Sequence, residues 1–511
     1  MLARHREALV AAGAAAFVAA LLAWLGPPGT DFAAHAYQLV LFQRHGFTLW
    51  DNYWYAGRYA FVGYSVLYYP LAAALGIRLL AVLTMALGAA AFAEVVTREW
   101  GTAARWASRS FAVFWAGFVL TAAFPFALGL ALALLAICAL QVQRRWLFAA
   151  LTLLVFAASP VALVLLAVVL VGAAAARRPQ LVPALALALA VALELGLLWL
   201  FPSGGHYPFP ASEAGAALGF CAAALLCTWR VEQARLLRYV FAAYALGIAI
   251  VWLVPATLGE NVARVRYLAF PLALLVLALR RWRPLPVAVL VAAAALAWNV
   301  TPLAQGWNRG AADLTKNAAV WRTTLRYLHA HLKPGYRVEA VDTTAHWPAY
   351  YLAEAGIPIV RGWFRQDDFP TDSLLYRQFT AAEYLRWLRS LGVAYVVLSD
   401  APPDYSSRRE AGLVQELWAH GLYRAFVDAH VTVFAVKDPR PIVTGPGSPR
   451  LLTLRQATFT ARVPRAGAYR IAIHWSRWWH ASTGRLSRRA DGMIELRTSG
   501  PATVRISFRV G

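Results

Sequence analysis

The chain is short of charge, and shortest of negative charge. Only 14% of its 511 residues are Asp, Glu, Lys or Arg, while 60% are hydrophobic. An ordinary soluble domain is about a quarter charged. This composition excludes a soluble enzyme, a disordered chain and a fibre. Cysteine is nearly absent: Cys138, Cys221 and Cys227 all lie in apolar segments. No disulfide framework is available to the polar regions, and no CxxC spacing suggests zinc. Lysine is limited to Lys316, Lys333 and Lys437, and 25 acidic residues face 48 basic ones for a net charge of +23. The excess is therefore arginine. In the first half these arginines sit between apolar runs instead of forming one patch. That argues against a nucleic-acid partner and for topology determinants, with a minority available as phosphate ligands.

What the chain has in quantity is long apolar runs. They lie at 7–26, 64–97, 110–124, 126–141, 147–158, 160–176, 183–201, 214–229, 237–254, 265–279 and 284–300. Several fall below the roughly 20 residues of an ideal span. The first, preceded by Arg4 and Arg6, has the look of a signal peptide. It ends in Gly-Pro-Pro and many more runs follow, so a retained helix is expected. A break is expected in the second run near Pro70 or Gly76. Turn signals at Phe124-Pro125, Ser159-Pro160 and Phe201-Pro202-Ser203-Gly204-Gly205 separate others. Arg4/Arg6, Arg98/Arg105/Arg109, Arg144/Arg145, Arg177/Arg178, Arg230/Arg235/Arg238 and Arg280/Arg281/Arg283 fall on alternate loops. Cytoplasmic loops carry the Lys/Arg excess. The N-terminus is thus expected inside, and about 11 spans put residues 305–511 outside.

Three of the nine acids in residues 1–304 then fall on outer loops: Asp31, Asp51 and Glu260. Acids are costly near hydrocarbon, so their retention there points to function, with wet loop acids as the plain alternative. The first outer loop is long, running from Asp31 and His35 through Trp50 and Asp51 to Tyr53-Trp54-Tyr55 and Arg58. The others carry His206 and the run Glu260-Asn261…Arg264…Arg266-Tyr267.

Residues 305–440 alternate strand-like runs (337–341, 357–360, 393–398, 425–436) with helical patterns (318–331, 381–391, 409–420), which reads as an α/β domain. No GxGxxG follows a strand, so nothing supports a nucleotide site. Residues 441–511 carry short alternating strands at 458–463, 469–474, 493–497 and 503–510, the pattern of a β-sandwich or part of one. His346-Trp347 and Arg361-Gly362-Trp363-Phe364-Arg365 are the distinctive segments here. Trp faces beside Arg and Asp either stack on a sugar or pack the domain; Trp475, Trp478, Trp479 and His480 carry the same two readings. The expected divisions are a membrane domain over 1–304, an extracytoplasmic α/β domain over 305–440 and a β-rich domain over 441–511.

Asp31 just after the first run, the long helical first loop, Tyr68-Tyr69-Pro70 at the next run, and many short spans ending in a soluble region resemble the GT-C superfamily of integral membrane glycosyltransferases. The order of Pro125-Phe126-Ala127-Leu128-Gly129, Ser159-Pro160, Gly259-Glu260-Asn261…Arg264…Arg266-Tyr267, His346-Trp347 and Arg361-Gly362-Trp363 is similar to a group of bacterial GT-C-like proteins. The resemblance covers most of the chain. It implies a multi-pass protein of the bacterial plasma membrane that moves a hexosyl or pentosyl group from a polyprenyl-phosphate donor to a cell-envelope glycan, lipid or protein acceptor on the outer face. Asp31 would be the base that accepts the acceptor hydroxyl's proton. Arg264, Arg266 and, as a further candidate, Arg58 would hold the lipid phosphate. His35, Asp51, Glu260 and His206 are supporting candidates, with His35 either orienting Asp31 or sharing a metal with it. Trp54, His346, Trp347, Arg361 and Trp363 are candidates for the sugar or acceptor. Tyr53, Trp54 and Tyr55 also suit an interfacial aromatic belt. Many members of the superfamily carry paired acids in the first loop, whereas Phe32 follows Asp31 here, so no metal is assigned. Two other classes compete: a lipid or polysaccharide transporter using Glu194 and helices broken at Pro160 and Pro255, and a GT-C-like scaffold without catalysis. The absence of an inverted repeat counts against the transporter.

Overall fold

The computed structural model describes residues 2–177, 180–202, 205–416 and 421–510. Arg178, Ser203, Gly204 and the end of the expected 409–420 helix lie outside the described residues, as does the side chain of Arg4. The chain divides into two compact units, residues 1–29 with 64–310 and residues 30–63 with 311–511. Sequence reading groups 30–63 with the membrane helices; its packing partners are instead in 311–511, because its aromatics supply core to that unit (below).

The first unit is helical, and all eleven apolar runs are helices or parts of them. Eight stretches among the described residues are long and apolar enough to cross a membrane. The expected count of about 11 differs for two reasons. Arg145–Ala158 and Pro160–Ala176 are shorter helices, of 14 and 17 residues. The helices Arg105–Ala116 and Phe118–Thr121 are grouped with Ile77–Trp100 in the one apolar stretch Ile77–Thr121, although Gly101 (φ 58°) and the turn Gly101–Ala104 separate them. The expected break falls at Gly76, whose φ of 78° separates Tyr68–Leu75 from Ile77–Trp100. That backbone conformation is open to glycine at no steric cost. At the Ser159-Pro160 turn the Ser159 hydroxyl accepts from the Ala162 N–H and Pro160 takes the first helical position, a combination that starts a helix. Helices approach closely where small residues allow it: a Cβ on Gly172 would meet Val240 backbone at 2.6 Å.

The second unit opens with helix α1 (Phe32–His45) and a two-residue hairpin, β1 (Trp50–Asp51) and β2 (Arg58–Tyr59). After helix α2 (Ala318–His331) come β3 (Arg337–Ala340), helix α3 (Trp347–Glu354), helix α4 (Ala381–Ser390), β4 (Val393–Ser399), helix α5 (Arg408–Glu416), β5 (Leu422–Val427) and β6 (Val431–Val436). The sheet order is β3-β4-β6-β5, with β3 and β4 parallel and the rest antiparallel. The apolar stretch 425–436, read as one strand, is a hairpin, because Asp428, Ala429 and His430 turn the chain between β5 and β6. The segment 357–360 contributes a single parallel bridge, Val338 with Ile359, on β3. A capping box fixes the start of α4: Thr380 accepts from the Glu383 N–H and Glu383 accepts from the Thr380 N–H.

The remaining strands, β7 (Val443–Thr444), β8 (Arg450–Arg455), β9 (Thr458–Val463), β10 (Gly467–His474), β11 (Trp479–Ala481), β12 (Arg485–Arg488), β13 (Met493–Thr498) and β14 (Ala502–Phe508), form two four-stranded sheets. Their orders are β12-β13-β10-β7 and β11-β14-β9-β8. Trp50 joins the core between them, edge-on to Trp479 at 5.2 Å and stacked on Phe508 at 5.0 Å. One large aromatic from the first loop therefore completes a core built more than 390 residues later in the chain.

Candidate functional site

Asp31 occupies the N-cap position of α1, yet its side chain makes no capping bond. Its carboxylate instead accepts the indole N–H of Trp363 at 3.1 Å. Trp363 is half-buried and stacks on His346, with ring centroids 3.3 Å apart and planes 13° from parallel. His346 is buried, and its Nδ1 lies 2.6 Å from Asp342 Oδ2. The Arg365 guanidinium sits over Trp363 at 4.6 Å and over Tyr405 at 4.3 Å, and pairs with Asp404 at 2.7 Å. Burial acts to raise the Asp404 carboxyl, but Arg365 and His346 outweigh it and hold it below the usual carboxylate range. Asp31, Trp363, His346 and Asp342 are thus joined in one chain of contacts, with a charged pair braced against the tryptophan. His35 lies one turn beyond Asp31, fully buried, its backbone N–H on the Asp31 carbonyl at 3.3 Å.

Several expected site residues are core instead. Trp54 is fully buried, donates to the Ala349 carbonyl at 2.9 Å and stacks on Tyr37 at 4.5 Å. A Cβ on Gly362 would meet its ring at 2.4 Å. It has no face for a sugar, nor for an interfacial belt, and Tyr55 is likewise buried with its hydroxyl on the Phe364 carbonyl. Trp347 is buried among Phe32, Tyr350 and Tyr351. Arg361 is buried in a fork onto Asp368, at 3.2 and 3.1 Å, with Ser406 and Ser407 on its other N–H groups. Arg58 forms a buried ion pair with Asp367 at 2.6 Å and lies over the Phe364 ring at 4.6 Å, so its charge is already matched. Asp51 is fully buried and accepts from the Tyr53 N–H and the Gln456 amide; burial pushes its carboxyl up to about 6.

The first unit gathers the other candidates on two loops. Tyr207 N–H donates to the Ala256 carbonyl, Glu260 N–H to the Pro208 carbonyl, and the Tyr207 hydroxyl to Glu260 at 3.4 Å, so the His206 loop and the Glu260 loop are paired. Gly259 adopts φ +45° there, and a Cβ on it would meet the Tyr207 carbonyl at 2.3 Å. Arg266 pairs with Glu213 at 3.0 Å. Arg264 has neutral neighbours: the Asn261 amide at 2.6 Å and the Phe126 ring at 4.8 Å. Among the described residues no group of three or more His, Cys, Asp or Glu side chains could hold a metal ion.

A one-step chain of inference could have found part of this in the sequence. Asp342 and His346 are four residues apart, the spacing of one turn. Trp363 and Asp31 are 332 residues apart, and no local pattern links them.

The fold is similar to that of a solved membrane glycosyltransferase of the GT-C type, and the chain carries eight stretches among the described residues long and apolar enough to cross a membrane. A mutant form of the arabinofuranosyltransferase AftD from mycobacteria matches with a TM-score of 0.52 and 19% identity, over 85% of this chain and 42% of that one. A second AftD structure matches with a TM-score of 0.47 and 19% identity, over 84% and 40%. The oligosaccharyltransferase AglB from Archaeoglobus fulgidus, solved with an inhibitory peptide and a dolichol-phosphate, matches with a TM-score of 0.30 and 14% identity, over 76% and 69%. The fold assignment stands on the first of these. The chain spans about two fifths of the length of the AftD structures. No family model matches the chain. No curated protein matches it either.

Proposed function

We propose that the protein is a glycosyltransferase that moves a sugar from a polyprenyl-phosphate donor to a glycan, lipid or protein hydroxyl at the outer face of a bacterial plasma membrane. The observation that carries this reading, beyond the fold, is the Asp31 carboxylate. It sits at a helix start without capping it, and is held by the indole N–H of Trp363. A carboxylate needed only as a cap would turn to its own helix.

In this reaction the acceptor hydroxyl oxygen forms a bond to the anomeric carbon. The bond from that carbon to the phosphate oxygen breaks, and its electron pair leaves on the lipid phosphate. The acceptor proton passes to Asp31. A positioned base contributes about 10²–10⁴-fold. Arg264 is the proposed phosphate ligand, because its partners in the protein are neutral and its charge is available. Arg266 is the weaker candidate, since Glu213 already neutralises it. Trp363 and His346 act by holding Asp31, in place of the sugar contact first expected of them.

Asp31→Asn tests the proposal. Asparagine caps a helix as well as aspartate does and still accepts from Trp363, but it takes no proton. Transfer of radiolabelled sugar from the lipid donor should fall about 10²–10⁴-fold with donor binding kept. Wild-type turnover by a folded Asp31→Asn protein would remove the catalytic role and leave a scaffold with a GT-C fold.

A further inference from the structure

The second unit contains a cavity that this mechanism does not use. It has a volume of about 210 Å³ and opens at the carboxyl ends of β3 and β4. Its walls are Asp342 and Thr343, which follow β3, and Ser399 and Asp400, which close β4. Gly412 and Gln415 of α5 complete it.

The topology explains the hollow. The chain leaves β3, passes through α3 and returns to a parallel bridge at Ile359. It then runs through α4 to β4, parallel to β3 and paired with it. Val338 of β3 pairs with both β4 and Ile359, so β3 lies between them: the connection from β3 leaves toward Ile359, and that from β4 leaves through α5 toward β5 on the other side. Loops diverge at such a point, and in open α/β sheets the crevice outside the carboxyl ends is where ligands bind. The glycine is a second, independent observation. Gly412 lies in the middle of a nine-residue helix, where glycine costs about 1 kcal/mol relative to alanine. A Cβ built on it meets nothing within 4 Å, so the position is left small beside open space.

We infer that this cavity binds a single neutral sugar ring. Among the described residues two carboxylates, two hydroxyls and one amide line it, with His346 on Asp342 at 2.6 Å and His430 on Asp400 at 2.9 Å. Carboxylates accept from vicinal hydroxyls, and the serine, threonine and glutamine groups both donate and accept. A phosphate or a carboxylate ligand would meet Asp342 and Asp400 unfavourably. The volume is below the about 300–1,000 Å³ of sites for drug-sized ligands, which limits the occupant to one ring of a longer glycan. The cavity is a sugar-binding site that shares Asp342 with the contacts holding Asp31 through His346 and Trp363. The inference concerns binding and stands or falls apart from the catalytic proposal.

The experiment is saturation-transfer NMR on the full chain in detergent, with methyl arabinofuranoside and methyl glucopyranoside as probes. Gly412→Leu fills the hollow from a position where an added side chain has room. Gly412→Ala is the control, expected to fold at least as well as wild type. Asp400→Asn removes one carboxylate. The expected result is transfer to at least one probe in wild type, weakened about 10-fold or more by Gly412→Leu and less by Asp400→Asn. Thermal melts establish that both variants fold. Transfer to neither probe, or transfer unchanged in folded Gly412→Leu, overturns the inference. Loss of binding in Gly412→Leu with Asp31→Asn binding as wild type separates this site from the catalytic one.

Discussion

The two units differ in how much charge they bury. In the unit of residues 1–29 and 64–310, charge is sparse, and Arg264 sits beside neutral groups. In the unit of residues 30–63 and 311–511, charge is driven inward and matched. Arg58 meets Asp367, Arg361 meets Asp368 and Arg365 meets Asp404, all substantially buried. An unmatched cation is available to a ligand, whereas a matched and buried one is part of the architecture. Residue type alone does not tell the two apart, which is why Arg58 stood as a further phosphate candidate behind Arg264.

The sharpest way to break the comparison is topological, and its outcome is all or none. The alternation of arginine loops expects residues 97–110 inside and 305–511 outside. Ser499 and Thr102 are both exposed. In intact cells a membrane-impermeant maleimide should label Ser499→Cys and leave Thr102→Cys unlabelled. The reverse pattern, or equal labelling of both, would discard the orientation and the outer-face chemistry with it.

Next in size is Arg58→Ala. It leaves Asp367 buried without its cation, a loss of about 3–5 kcal/mol. The melting temperature should fall by several degrees while the donor affinity of the folded fraction is unchanged. Weaker donor binding at unchanged stability would return Arg58 to the phosphate site.

Buried acids give the second unit a pH dependence of unusual sign. Burial raises Asp51 from 3.8 to about 6, a difference on the order of 3 kcal/mol between its two protonation states. Glu339 is buried without a donor among the described residues, and burial followed by the neighbouring Glu410 carboxyl raises it well above the ordinary value. At these two acids the folded state holds protons that the unfolded one releases, so their contribution to stability falls as pH rises through the window from about 4 to about 6 and, through Glu339, above it, while His474, pushed down to about 4 by burial, works in the opposite direction. Asp51→Asn keeps an acceptor for Tyr53 and Gln456 and removes the charge. Urea midpoints, followed by tryptophan fluorescence, should rise in Asp51→Asn at pH 7.5 and converge with wild type near pH 4. A gap between Asp51→Asn and wild type that does not widen from pH 4 to 7 would contradict the burial argument.

Arg264→Ala should weaken polyprenyl-phosphate-sugar binding by about 1.5–3 kcal/mol, the range of a hydrogen bond to a charged group. Arg264→Lys should restore only part, because the planar fork is lost. Arg266→Ala should do less, since Glu213 already occupies it. Equal losses in both would erase the distinction between matched and unmatched cations within the first unit.

Smallest is Trp363→Phe. It removes the indole N–H that Asp31 accepts and keeps the stacking face toward His346, a net loss of about 0.5–1.5 kcal/mol. Turnover should drop several-fold with donor affinity unchanged. A rise in KM for the sugar acceptor alone would revive Trp363 as a sugar contact.

The sequence by itself determined the membrane class, the helical stretches, the break at Gly76, the α/β alternation and the β-rich end. Each rests on local information: runs of apolar residues, glycine and proline at turns, and a period of two in the strands. Asp31 was singled out for the same reason, as an acid where acids are costly. Tertiary structure alone decided which polar residues are exposed to a ligand and which are core. Trp50, Trp54, Asp51 and Arg58 lie on a segment that composition groups with the membrane helices, yet their side chains are buried in the second unit. Asp31 gained its partner Trp363 across 332 residues. Burial and pairing are sums over contacts distant in sequence, so no local pattern encodes them, and an arginine or tryptophan reads the same in the chain whether it meets a ligand or its own core.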